Sequence, residues 1–248
     1  MNQCSNSRVL VAKAIGLWLI FCGPLSAEET NSARAILKNM SAEIAALESF
    51  VIVGDGYSDA RLDAGQIIEH STDVTLRVSR PATLRLTNRT AESSKEIFFG
   101  QGVLTVSSEN EGFYAQHPLP VDLGAAVDFA INEIGIEAPV LDLISNDVAS
   151  YLTEDAESID YFGLSMFRGR IYHHIGIRTP EVDVQLWVSK DEPSLPGKMS
   201  ISSRWEAGSP RSVFFFDWNT NPTIKTGSLR FEPPENATKI EFVLDATE

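Results

Sequence analysis

The sequence predicts an α+β fold, a long antiparallel β-sheet with its helices collected on one face. Three observations carry that prediction. Apolar residues recur at helical spacing in two stretches only, one near the start and one in the middle of the chain. Most of the remainder alternates apolar with polar residues at the period of a half-buried strand. The resulting order is helix, strands, helical insert, strands, and short turns between successive strands favour antiparallel pairing.

The N-terminus carries Arg8 and Lys13, then an apolar run from Ala14 to Leu25 that closes on Ser26-Ala27. A basic start, a short apolar stretch and a small residue at the cut predict a cleaved secretory signal peptide over residues 1–27 and one domain over 28–248. The run is shorter than the ~20 apolar residues of an anchor, and no later segment spans a bilayer. Phe21 stands where a lipoprotein signal ending at Cys22 requires a small residue. Cys4 and Cys22 both fall inside the signal, which excludes thiol catalysis, cysteine-ligated zinc and iron–sulfur chemistry from the mature chain. Cleavage removes two basic and no acidic residues, taking the formal net charge from −14 to −16. Such a surface repels nucleic acid and anionic headgroups.

In "NSARAILKNMSAEIAALESF", Ala33, Ile36, Leu37, Met40, Ile44 and Leu47 form one apolar helix face, with Asn31 or Ser32 as the expected cap. "DVTLRVSRPATLRLT" sets Val74, Leu76 and Val78 on one strand face and continues with Leu84 and Leu86 beyond Pro81. "KEIFFGQGVLTVSSENEGFYAQ" predicts three strands joined by turns at Gly100 to Gly102 and Asn110 to Gly112. A helical insert over about 122–152 groups Leu123, Val127, Ala130, Ile131 and Ile134, then Leu141, Leu143, Ile144 and Val148, divided by Gly135 and Pro139. Asp142 and Asp147 punctuate these pieces. From Ser158 onward strands resume, among them "SLRFEPP" and "KIEFVLD". "GDGYSD" at Gly54 is expected in a hairpin turn, with Asp55, Asp59 and Asp63 solvated.

"YHHIGIRTPEVDVQLWV" holds the adjacent pair His173–His174. On a strand Ile171, His173, Ile175 and Ile177 share one face and His174 takes the other, so the two imidazoles cannot chelate one metal. A turn through Thr179-Pro180 is expected to pair Ile177 with Val182, Ile175 with Val184, His173 with Leu186 and Tyr172 with Trp187. His173 is then either a hydrogen-bonded interior histidine or part of a binding cavity, and His174 lies beside Gln185. No catalytic motif, metal site or cofactor loop is found.

Arg80 follows Val74, Leu76 and Val78 in parity, so an unbulged strand turns it onto the apolar side. It must then sit at a rim or find acceptors, from a covering helix or a ligand headgroup; a bulge at Pro81 would instead turn it to water.

"VSRPATLRL", "FFGQGVLTVSSEN" and "LRFEPPENATKIEF" resemble the strand–Arg-Pro signature, the central hairpin and the closing strand of the LolA/LolB-like periplasmic lipoprotein carriers. "YHH", "DVQLWV", "LPGKMSI" and "FDWN", in that order, make the chain similar to a family of predicted periplasmic bacterial proteins, over roughly Asn31 to Leu244. The resemblance implies a curved, open half-barrel of about 10–11 strands with helices on the concave side, and a lid-latching role for Arg80. It implies a periplasmic, non-enzymatic carrier or binding protein for a lipid, a lipoprotein acyl chain or another hydrophobic ligand. The lining expected of such a carrier is Leu76, Val78, Leu84, Leu86, Ile171, His173, Ile175, Val184 and Leu186, with Arg80 as the polar contact; parity groups these residues without telling which sheet face is concave. The alternative is an envelope protein–protein interaction or sensor module whose interior is filled by side chains such as Phe98, Phe99, Phe214, Phe215 and Phe216. A hydrolase using His173 or His174 is the third reading. The insert is longer than that of the carriers.

Overall fold

The computed structural model describes residues 27–136, 138–145 and 147–242, with backbone alone at 27–31 and 226. The expected signal peptide, with Cys4 and Cys22, lies outside the described residues apart from Ala27. Helix α1 spans Ala27–Ala46 and leads into strands β1 (Ser49–Arg61), β2 (Ile67–Ser79), β3 (Thr83–Arg89), β4 (Ser94–Gly100), β5 (Val103–Ser108) and β6 (Phe113–Pro118). The insert follows, with α2 (Leu123–Asp128), a π-helical turn (Phe129–Glu133), a 3-10 turn (Asp142–Ile144) and α3 (Val148–Thr153). Strands β7 (Ser158–Phe167), β8 (Arg170–Arg178), β9 (Val182–Ser189), β10 (Pro196–Ser203) and β11 (Arg211–Asn219) complete the second half, and β12 (Thr238–Ile240) closes the chain.

The strands form one curved open sheet in the order β12-β6-β5-β4-β3-β2-β1-β11-β10-β9-β8-β7. It has twelve strands rather than the expected 10–11, and β12 joins β6 in parallel, the one departure from antiparallel pairing in the sheet as described. Alternation does what the sequence pattern demands. Phe50 and Ile52 of β1, Leu76 and Val78 of β2, Leu84 and Leu86 of β3, and Ile97 and Phe99 of β4 share the apolar face, in register as Phe50↔Val78, Ile52↔Leu76, Val78↔Leu84 and Leu84↔Phe99. All are buried.

That face is roofed. Ala33, Leu37, Met40 and Ile44 of α1 join one core with Ile175, Ile177, Leu186 and Val188, while Leu123, Val127, Leu143, Ile144 and Val148 bring the insert into the same core. Burying a side chain of this size is worth about 1.5–3 kcal/mol, so the roof is held chiefly by apolar contact. The opposite face is partly covered by the C-terminal segment. There Phe231 packs on Phe98 and Tyr114 at 5.3 and 5.0 Å, and Arg85 donates to the Ser228 carbonyl at 3.1 Å.

Four expectations are corrected. Helix α1 already includes Ala27, the first described residue, so Asn31 and Ser32 lie inside it and do not cap it. Gly54 to Asp59 belong to β1 and not to a turn, with Gly54↔Phe216 and Gly56↔Phe214 paired across to β11. Glycine is needed there because a Cβ at Gly54 would collide with the Phe215 carbonyl oxygen, and one at Gly56 with the Phe214 ring. "SLRFEPP" is not a strand: its start lies in a 3-10 turn, Thr226–Leu229, and the rest is irregular. The β8–β9 register is shifted by two residues, giving Ile177↔Val184, Ile175↔Leu186 and His173↔Val188. A shift of two preserves every face, so hydrophobicity does not choose between the registers. The chosen one lets Arg178 clasp Asp183 through two hydrogen bonds of 2.7 and 2.9 Å, and it places His174, not Tyr172, opposite Trp187.

Candidate functional site

Seven of the residues expected to line a ligand site, Leu76, Val78, Leu84, Leu86, Ile175, Val184 and Leu186, lie together in the buried layer beneath the roof. The other two apolar-row positions sit near the free edge of the sheet. Ile171 is 42% exposed, and next to it on β7 Leu164 and Met166 are exposed as well. His173 is half-buried there, its Nδ1 bonded to the Tyr161 hydroxyl at 2.9 Å, which is the hydrogen-bonded arrangement. Burial, with a smaller effect of Lys190, holds its pKa below the ordinary imidazole value. His174 points to the other face, bonded to Gln185 at 3.0 Å and stacked on Trp187 at 4.3 Å. Its pKa is also lowered by burial. The two imidazoles therefore serve separate faces, and no cluster of three or more metal-ligating side chains occurs among the described residues.

Arg80 follows the last residue of β2, and its backbone N–H donates to the Glu48 carbonyl at 2.8 Å, fixing it at the α1–β1 junction. Its side chain is half-buried. Nε and Nη2 are both shielded from solvent and have no hydrogen-bond partner, and desolvation lowers the guanidinium pKa. Two shielded N–H groups without acceptors are costly, and they call for a partner from elsewhere.

The space under the roof is largely filled. Phe214 and Phe216 meet Pro139 and Val140 of the insert around a void of only about 20 Å³. Phe99, Phe214 and Phe216 face inward, whereas Phe98 and Phe215 belong to the outer face and do not fill the interior. A larger slot of about 450 Å³ opens between the insert and the far end of β3–β5. Its inner wall is Leu86, Ile97 and Val106 from the sheet and Ile134, Ile136 and Ala138 from the insert. The insert edge turns at Gly135, whose φ of +70° suits a residue without Cβ. The outer end is polar, with Asn88, Lys95, Ser108 and Glu111. Sequence reasoning missed this slot: Glu111 reads as a turn residue and Lys95 as a strand end, and nothing local indicates that the insert stops short of them.

The insert is anchored by its own caps. Asp122 accepts from the Ala125 N–H at 2.9 Å and Asp147 from the Ser150 N–H at 3.1 Å. Asp142 is half-buried, and desolvation raises its pKa to about 7 against a weaker opposing hydrogen bond from the Tyr151 hydroxyl at 3.3 Å. No helix among the described residues is long and apolar enough to cross a membrane.

Comparison with known proteins follows the chain path. Mycobacterium tuberculosis lipoprotein LppX is similar over 79% of this chain and 99% of its own, at 12% identity and a TM-score of 0.45. LprF from Mycobacterium bovis is similar over 82% and 99%, at 13% identity and a TM-score of 0.46. A LolA superfamily protein from Nitrosomonas europaea is similar over 80% and 97%, at 13% identity and a TM-score of 0.38. These likenesses concern chain path and bring no ligand or activity with them. No curated protein matches the chain. The model of the family described as "Predicted periplasmic protein (DUF2092)" matches residues 33–243, and the chain belongs to that family.

Proposed function

We propose that the protein is a periplasmic, non-enzymatic carrier or binding protein for a hydrophobic ligand, taken up between the apolar sheet face and its helical roof. The observation that carries this reading is the slot between insert and sheet. It leads from solvent to Leu86 and Ile97, members of the same apolar layer as Leu76, Val78 and Leu84. An acyl chain gains about 0.8 kcal/mol per methylene removed from water, a gain that opposes the chiefly apolar contacts holding the roof. Arg80 fits the reading as an unsatisfied cation at the junction of roof and sheet, able to bond a roof carbonyl or a ligand acid once the roof moves. The non-enzymatic reading is supported by His173 and His174 being committed to Tyr161 and Gln185 on opposite faces.

The test is native mass spectrometry and lipid extraction of protein purified from periplasm, followed by titration with a fluorescent acyl probe. A lipid adduct or saturable probe binding is expected. Protein that is consistently empty and has no affinity for acyl probes overturns the carrier reading. The small interior void favours a second reading, an envelope protein–protein module on the same scaffold. Empty protein that co-purifies with one specific envelope protein is its expected result.

A further inference from the structure

We propose that the slot is the mouth of the ligand site and that it takes a single-chain phospholipid with a zwitterionic head, a phosphate beside an ammonium group. The inference rests on the carrier reading and adds the class of ligand, its orientation and the residues that select it.

The slot grades from apolar to polar along the strands. On β5, Leu104 is fully buried, Val106 borders the slot, and Ser108 stands at its outer end; on β3, Leu84, Leu86 and Asn88 follow the same order. Ser108 is 3% exposed, yet its hydroxyl has no hydrogen-bond partner. A hydroxyl hidden from water without a partner is rare and calls for one that the protein does not supply. Lys95 lies directly across the ladder from Ser108. Glu111 borders the same opening from the turn that follows β5. Both are exposed, and neither forms an ion pair with the other or with any other described residue. Two unpaired charges of opposite sign around one apolar opening match a head that carries both signs. The phosphate takes the Lys95 ammonium and the Ser108 hydroxyl, and the ligand's ammonium takes the Glu111 carboxylate. A formal net charge of −14 disfavours a purely anionic amphiphile. The volume of about 450 Å³ is near the lower end of the range for small-molecule sites, about 300–1,000 Å³. It suits one chain and not the two or three of an intact diacyl or triacyl lipid.

The experiment titrates the protein purified from periplasm, after delipidation, with four probes of equal chain length: palmitoyl-lysophosphatidylethanolamine, palmitoyl-lysophosphatidylglycerol, monopalmitoylglycerol and dipalmitoyl-phosphatidylethanolamine. The zwitterionic single-chain probe is expected to bind tightest. Lys95→Gln weakens it about tenfold, the loss of one charge-assisted hydrogen bond, and leaves monopalmitoylglycerol unchanged. Glu111→Gln weakens the zwitterionic probe and narrows its advantage over the anionic one. Both side chains are exposed, so thermal melts of these variants should coincide with the parent, and Ile136→Trp, which narrows the slot, should weaken every probe. Single-chain binding that ignores the headgroup, or that survives Lys95→Gln and Glu111→Gln unchanged, overturns this inference while leaving the carrier reading intact. Failure of all four probes overturns both.

Discussion

The Ser41 hydroxyl donates to Asp147 Oδ1 at 3.1 Å, joining the middle of α1 to the N-cap of α3, 106 residues along the chain. The same carboxylate accepts from the Ser150 N–H at 3.1 Å and from the Ser150 hydroxyl at 2.7 Å, so one side chain both starts a helix and ties the two parts of the roof together.

Asp147→Ala therefore loses the cap and the tie at once. It should destabilise the protein by about 1 kcal/mol or somewhat more, and Asp147→Asn, which still caps, should cost less. Urea denaturation of the two variants checks this, with equal losses contradicting the capping account. The hydrogen bonds from Ser150 hold the Asp147 pKa below the ordinary carboxylate value. Its contribution is thus complete above that ordinary value and is lost as pH falls through the lowered one.

Asp142 behaves in the opposite sense. With its pKa raised by burial to about 7, the fold favours the protonated acid. The associated stability is complete below the ordinary carboxylate value and is lost as pH rises toward 7. Asp142→Asn should flatten that part of the stability profile and raise the melting temperature at pH 8. Equal melting temperatures for variant and parent from pH 5 to 8 would count against it. His173 and His174, with pKa values lowered chiefly by burial, oppose this trend by destabilising the fold as pH falls through and below the ordinary imidazole value.

Gly54 sits where β1 joins the two halves of the sheet, opposite Phe216 on β11 and Val74 on β2. Gly54→Ala drives a methyl group into the Phe215 carbonyl, a backbone atom that cannot swing aside. A loss of about 1–3 kcal/mol is expected from the forced shift. An unchanged denaturation midpoint would mean that β11 moves freely.

Arg80→Met removes a guanidinium whose Nε and Nη2 are buried without partners. Removing an unsatisfied buried polar group should stabilise the ligand-free protein, by about 1 kcal/mol or more. The same change should weaken the acyl probe if Arg80 is satisfied only in the loaded form. Parallel melts and probe titrations separate these effects, and destabilisation without ligand would show that Arg80 already has a stabilising role in the closed form.

Which face each residue takes is legible in the amino-acid pattern. Period two set Leu76, Val78, Leu84, Leu86, Ile175 and Leu186 on one side and His174 on the other, and helical spacing placed Leu37, Met40 and Ile44 against them, because these assignments depend only on neighbours along the chain. Tertiary structure alone decided what depends on distant partners. The β8–β9 register differs by two residues from the expected one because both choices bury the same side chains, and the turn, closed by the Thr179 N–H on the Val182 carbonyl at 2.9 Å, belongs to the observed one. Gly54 to Asp59 form strand and not turn because β2 and β11 flank them on either side. Whether the apolar face is hollow or filled, and where a slot reaches it beside Lys95, Ser108 and Glu111, follows from how far the insert extends over β3–β5. No local periodicity encodes that extent, because it is set by packing between segments far apart in sequence.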